Sequence, residues 1–250
     1  MGRTHIKTSE EIEYIRESGR IAAQTLLLLE KAIAPGISTL ELDKMGEAFI
    51  RKNGGKPSFK GYHGFPSSVC CSVNEQVVHG IPNSRPLKEG DIITLDVGVY
   101  KNSYHGDTAI TVAVGNISAE ARQLMKITKE ALYLGIQHAQ AGARLGDIGY
   151  AIQTLAEQYG YGIVQEYTGH GVGRELHEDP HVMHYGKADT GLRLKPGMVF
   201  TIEPMITMGS REVQVKKDGW TAITKDKSWC AQFEHTIAIT PNGPDILTMP

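Results

Sequence analysis

The chain has 250 residues, enough to bury a core in one large domain or two small ones. Forty per cent of the residues are hydrophobic and 22% charged, and 26 Lys and Arg against 28 Asp and Glu leave a formal charge of −2. That composition is ordinary for a globular protein and excludes bulk charge as a means of recruiting nucleic acid or an anionic membrane. No apolar run approaches the roughly 20 residues that cross a bilayer. Residues 1–6 lack the apolar stretch of a secretion signal, and Ile6 breaks the myristoylation pattern. Cys70, Cys71 and Cys230 make neither a disulfide framework nor a cysteine zinc site. A cytoplasmic protein is expected.

Thr8 with Glu11, and Ser38 with Glu41, have capping-box spacing and predict two helix starts. The run Leu26–Leu29 falls inside the first helix and reads as core. The second helix stops at Gly54, as a residue just past a helix end would. β-branched runs at 91–100 and 107–114 predict strands, with Lys101-Asn102 as their turn. A further helix ends in the same manner at Gly160.

The chain is written twice. Residues 87–96, ending in Thr94-Leu95-Asp96, align with residues 194–203, ending in Thr201-Ile202-Glu203. Gly36–Gly54 reads like Gly142–Gly160, with Leu42 over Ile148 and Phe49 over Leu155. Asp107–Val112 parallels Glu234–Ile239, and Val78–Pro82 echoes Leu176–Pro180. Four matches in one order predict a duplicated half-domain. The expected fold is α+β, two α-α-β units (about 8–115 and 116–250) in one domain, with a curved antiparallel sheet covered by helices.

If Lys101-Asn102 is the turn, Asp96 and Asp107 face each other across a hairpin, with Cβ atoms about 5 Å apart. The repeat sets Glu203 and Glu234 at the equivalent positions. Most acids lie on surfaces and never meet, but these sit in apolar strands, recur by symmetry and pair in register. Folding the halves together gathers four carboxylates whose repulsion two divalent cations would relieve. An imidazole comes from Thr168-Gly169-His170-Gly171-Val172-Gly173, where glycines allow close backbone approach. That segment matches no nucleotide-binding fingerprint. Half of the ten histidines lie between His170 and His184 or at His235, which suits metal or acid–base work. His177-Glu178-Asp179-Pro180-His181 spells the zinc-protease string, but that motif needs a helix, and Pro180 forbids one.

Taken together, the motifs Gly61–Pro66, Asn74-Glu75, His79–Pro82, Asp96, His105–Thr108, Thr168–Gly173, His177–Pro180, Lys195–Met198, Thr201–Pro204 and Gln232–Thr236 resemble the bacterial type I methionine aminopeptidases over essentially the whole chain. The resemblance implies the pseudo-symmetric pita-bread fold. It implies two divalent metal ions (Co, Mn, Fe or Zn) on Asp96, Asp107, His170, Glu203 and Glu234, with Asp107 and Glu234 bridging. It also implies removal of the initiator methionine when the second residue is small, through attack by a water that bridges the metals. His79 is then expected to contact the substrate amide nitrogen and His177 the carbonyl oxygen, and Glu203 is the candidate to take the water's proton. Tyr62, His63, Phe65, Cys70 and Trp220 suit a thioether pocket. Phe59 and Leu176 stand at positions that vary in the family's pocket. The expected partner is a peptide or nascent-protein N-terminus beginning with Met, with the ribosome a possible second; no nucleic-acid site, no membrane contact and a monomer are expected. Gly2 would make the chain a substrate for its own activity. The rivals are a zincin, a non-enzymatic binding module, which would be expected to have lost ligands, and prolidase- or creatinase-like enzymes, which would be expected to carry a further N-terminal domain.

Overall fold

The structure, a computed structural model, describes residues 4–250; the expected processing next to Gly2 lies outside them. Helix α1 (Ser9–Ala32) starts as the spacing predicts: the Thr8 hydroxyl accepts the Glu11 N–H at 3.2 Å, and the Glu11 carboxylate accepts the Thr8 N–H at 2.9 Å. Ser38 and Glu41 repeat the arrangement at the start of α2 (Thr39–Lys52). The half continues with β1 (Lys56–Pro57), β2 (Cys70–Val73), β3 (Ile92–Lys101) and β4 (Tyr104–Ala113). In the second half, α3 (Ala119–His138) and α4 (Leu145–Gln158) precede β5 (Gly162–Ile163), β6 (Gly169–Gly171), β7 (Glu178–Val182) and β8 (Val199–Ile202). Then follow β9 (Met205–Thr207), β10 (Val213–Val215), β11 (Ala222–Thr224), β12 (Cys230–Gln232), β13 (His235–Thr240) and β14 (Gly243–Ile246).

The duplication is visible in the backbone. α2 and α4 are both 14 residues long. Each is followed by a left-handed glycine, Gly54 at φ +76° and Gly160 at +72°, as the sequence predicts. All strand pairings among the described residues are antiparallel. The larger sheets are the first half's β1–β4 and the second half's β14-β13-β8-β6-β7. Helices cover them through two apolar clusters. One joins Leu26, Leu29 and Leu42 to Leu95 and Val97; the other joins Leu124, Ile148 and Ile152 to Phe200 and Ile237. Of the four-leucine run, Leu26 and Leu29, one helical turn apart, are buried, whereas Leu27 is exposed. No helix among the described residues is long and apolar enough to cross a membrane.

The halves are stitched by threonines. Thr236 Oγ1 donates to the Asp107 carbonyl at 2.7 Å and accepts the Asp107 N–H at 3.2 Å; Thr108 Oγ1 donates to the Glu234 carbonyl at 2.7 Å. Thr111 and Gln232 repeat the pattern further along. The seam therefore pairs Asp107 with Glu234, the two acids that the repeat equates.

The expected hairpin turn is corrected. Lys101 pairs with Tyr104, and the turn is Asn102-Ser103, at φ +51° and +67°. A two-residue turn of the kind that matches strand twist needs positive φ at both central positions, and Asn adopts this more readily at the first than lysine does. The register moves by two residues: Asp96 faces Ala109, and Asp107 faces Gly98. An even shift keeps both carboxylates on one face, as diagonal rather than direct neighbours.

Candidate active site

Each sheet carries part of the site to the seam. β3 and β4 present Asp96 and Asp107 on one face. β8 and β13 pair as far as Ile202 and His235, so Glu203 and Glu234 stand opposite each other just past the ladder. His170 is in the middle of β6, with β7 and β8 alongside. The glycines beside it are steric necessities. A Cβ at Gly169 would lie 2.4 Å from the Thr201 carbonyl oxygen, and one at Gly171 would lie 2.4 Å from that of Asp179. The close approach predicted at this segment is thus between neighbouring strands.

The protonation of His170 follows from its partners. Nδ1 is 3.0 Å from the Gly171 carbonyl, which can only accept, so Nδ1 holds the hydrogen and Nε2 a lone pair. That lone pair is 3.9 Å from Asp107 Oδ2 and 3.7 Å from Glu203 Oε1. Asp107, His170 and Glu234 each offer a ligand atom within 4.8 Å of the others, and all three are buried. The buried oxygens Asp96 Oδ1 and Asp107 Oδ1 have no hydrogen-bond partner. Lone pairs that converge without donors repel unless a cation or protons lie among them. Four carboxylates and an imidazole suit Mn²⁺, Fe²⁺ or Co²⁺ at least as well as Zn²⁺. These residues fit a bound divalent metal.

The electrostatics agree. Burial, then the charges of Asp107 and Glu203, raise the Asp96 carboxyl well above its ordinary range, and the same causes raise Glu234. Burial lifts Asp107 to about 7 and Glu203 to about 8. Glu203 is held more firmly than its neighbours: Thr201 Oγ1 donates to Oε1 at 2.8 Å, and Gln232 Nε2 to Oε2 at 3.2 Å. Its own N–H donates to His184 Nε2 at 3.0 Å. Burial presses His170 down to about 3 and His177 to about 4, so both rings are neutral near pH 7.

The pattern of metallopeptidase family M24 matches residues 13–241. The chain belongs to that family. It is 56% identical to methionine aminopeptidase 1 of Bacillus subtilis over 242 residues, 97% of this chain and 98% of that protein. It is 47% identical to the methionine aminopeptidase of Escherichia coli K12, covering 98% and 93% of the two chains. Among solved structures, the methionine aminopeptidase of Thermotoga maritima matches with a TM-score of 0.98 at 44% identity, over 99% of this chain and all of that one. The prolidase of Pyrococcus furiosus matches with a TM-score of 0.79 at 27% identity, over 98% of this chain and 65% of that one. The pita-bread fold and metallopeptidase class are thereby shown.

A cavity of about 390 Å³ in this M24 fold opens onto the carboxylates. All twelve residues named from the sequence line it: the five donors, His79, His177, Tyr62, His63, Phe65, Cys70 and Trp220. Phe59 and Leu176 line it too and pack with Phe65 and Cys70 in one apolar cluster, against which Tyr62 and Trp220 lie. Phe65 and Trp220 meet edge to face at 5.2 Å between centroids, and His79 meets Tyr167 the same way at 5.4 Å. Burial lowers the His79 pKa and raises that of the Cys70 thiol, which the nearby Asp96 charge raises further. Sequence reasoning missed Tyr167 and the supports of Glu203: Thr201, His184 and Gln232. Tyr167 precedes the glycine-rich segment, and Thr201 and Gln232 stand within the recognised motifs. His184 carried no signal beyond its place among clustered histidines. Glu178–His181 lies in β7, not on a helix, which removes the zincin.

Proposed function

We propose that the protein is a methionyl aminopeptidase that removes the initiator methionine from peptides and nascent proteins whose second residue is small. One observation carries this reading. A single cavity joins converging, partnerless carboxylate oxygens to an apolar lobe of aromatic rings and a thiol. That combination suits hydrolysis at one end and a flexible thioether at the other. The names of its relatives and the family resemblance support the same substrate.

In this proposal Asp96, Asp107, His170, Glu203 and Glu234 would hold two divalent ions. Bound there, the ions would supply the Lewis acidity that acidifies a water, polarises the scissile carbonyl and anchors the free α-amine. Glu203 would take a proton from the attacking water, its carboxylate oriented by Thr201 and Gln232. His177 donates to the carbonyl oxygen as negative charge grows there, and His79 contacts the amide nitrogen. Phe65, Cys70 and Trp220 receive the methionine side chain, with Tyr62 and His63 at its edge, and their apolar surface excludes water. The chain acts as one catalytic domain and a monomer, in the cytoplasm, on chains emerging from the ribosome.

Hydrolysis of Met-Gly-x peptides against x-Pro dipeptides, with and without chelator, tests the reading. Metal-dependent release of methionine, with x-Pro dipeptides left intact, is expected. Preference for x-Pro would move the protein to the prolidase side of the fold, and activity indifferent to chelation would refute the metal centre.

A further inference from the structure

One hydrogen bond joins the two halves across the cavity mouth. Tyr62 and His177 are 115 residues apart, and the tyrosine hydroxyl lies 2.7 Å from His177 Nδ1. Tyr62 begins a tight turn, Tyr62–Gly64, flanked by Gly61 at φ +87° and closed by Gly64 at +91°. The Gly61 N–H donates to the Phe65 carbonyl at 2.8 Å, and the Phe65 N–H to the Tyr62 carbonyl at 2.9 Å, so the turn holds its own shape. His177 sits between rings, its centroid 4.1 Å from that of His170 and 5.1 Å from that of Tyr62.

A neutral imidazole carries one hydrogen, and the partner at one nitrogen decides which nitrogen bears it. A phenol can donate or accept, so two arrangements fit the distance. If His177 Nδ1–H donated to Tyr62, Nε2 would hold only a lone pair, with nothing to offer a carbonyl oxygen. The tyrosine hydrogen would then have no protein acceptor, because its hydroxyl has no other hydrogen-bond partner among the described residues. If Tyr62 donates, the hydroxyl uses its hydrogen on the acceptor beside it, and Nε2–H stands free on the far edge of the ring.

The geometry points to Tyr62 as a positioning residue whose hydroxyl donates to His177 Nδ1, holding the ring in the Nε2–H form and in a fixed orientation towards the carbonyl oxygen of the scissile peptide. Accepting a hydrogen bond at Nδ1 also polarises Nε2–H and strengthens it as a donor. Tyr62 thus does more than line the methionine pocket. The role of the carbonyl rests on the aminopeptidase reading; the direction of the bond does not.

Two measurements test it. The first is Tyr62→Phe, which keeps the ring and removes only the hydroxyl. On a Met-Gly peptide it is expected to lower kcat by about 10-fold or more, the scale of a lost donor or acid–base group, with KM within about twofold. Tyr62→Ala, by contrast, should raise KM. In a His177→Ala background the phenylalanine change should have no further effect, because the group it orients is gone. The second is ¹⁵N NMR of the imidazoles in protein loaded with diamagnetic Zn²⁺. His177 should be protonated at Nε2 in the parent, and its Nδ1 signal should move in Tyr62→Phe. An unchanged kcat, effects that multiply in the double variant, or a His177 protonated at Nδ1 would each overturn the inference while leaving the peptidase intact. A parent protein inactive on Met-Gly peptides would instead overturn the functional reading, and the NMR would still decide the bond.

Discussion

Removing bound metal should give the protein a stability that falls, relative to the metal-bound protein, as the pH rises through neutrality. Asp107 and Glu203 have folded-state pKa values near 7 and 8, and Asp96 and Glu234 are also raised, all chiefly by burial. Each group therefore binds its proton more tightly in the folded state than in the unfolded one. Its contribution is fully present below the unfolded value and is lost as the pH climbs through the folded value. Histidines work the other way. Burial depresses His170 and His184 to about 3 and His177, His105 and His235 to about 4. The stability they contribute is lost as the pH falls through their unfolded value, so these histidines together still add about 2 kcal/mol between pH 6.5 and 8, in chelated and loaded protein alike. Over that interval the difference between loaded and chelated protein therefore isolates the carboxylates. Each retained proton changes stability by about 1.4 kcal/mol per pH unit. With one to two protons retained, the chelated protein should lose about 2–4 kcal/mol relative to loaded protein over that interval. For a chain of this length that lowers Tm by roughly 5–15 °C. Thermal denaturation with EDTA, against metal-loaded protein at each pH, reads this directly. The loaded protein should show no such decline, because cations replace the protons. Parallel curves from pH 6.5 to 8 would refute the account of a repelling carboxylate cluster.

Three further outcomes follow from single contacts. Asp107→Asn should reduce bound metal, measured by elemental analysis, and cut turnover more than about 100-fold, since an amide is a poorer donor than a carboxylate among these converging oxygens. Thr236→Val keeps the shape but strips both seam bonds from the Asp107 backbone. Buried groups left unsatisfied cost about 1–3 kcal/mol each, so the unfolding free energy from urea titrations should fall by an amount of that order. Ser103→Gly relieves a serine held at φ +67° in the hairpin turn and should raise stability by about 0.5–1 kcal/mol, read from the same titrations.

Much of the molecule was legible because its information is local or repeated. Helix starts at Thr8 and Ser38 depend on partners three residues away, and the glycines after α2 and α4 depend on backbone conformation alone. The duplication was legible because both halves face the same packing problem, so Asp96, Asp107, Glu203 and Glu234 could be read as one set. The sequence by itself therefore determined the fold class, the donor types and the family. Tertiary structure decided the rest. The turn at Asn102-Ser103, not Lys101-Asn102, depends on which residues tolerate positive φ in a hairpin anchored to α1 through Glu17. The supports of Glu203 come from Thr201, His184 and Gln232, whose bonds depend on how β8, β12 and the segment after β7 converge. The clasp between Tyr62 and His177 spans both halves, and no periodicity or spacing encodes a contact over 115 residues. Such contacts exist only once the apolar faces have packed and the seam has closed.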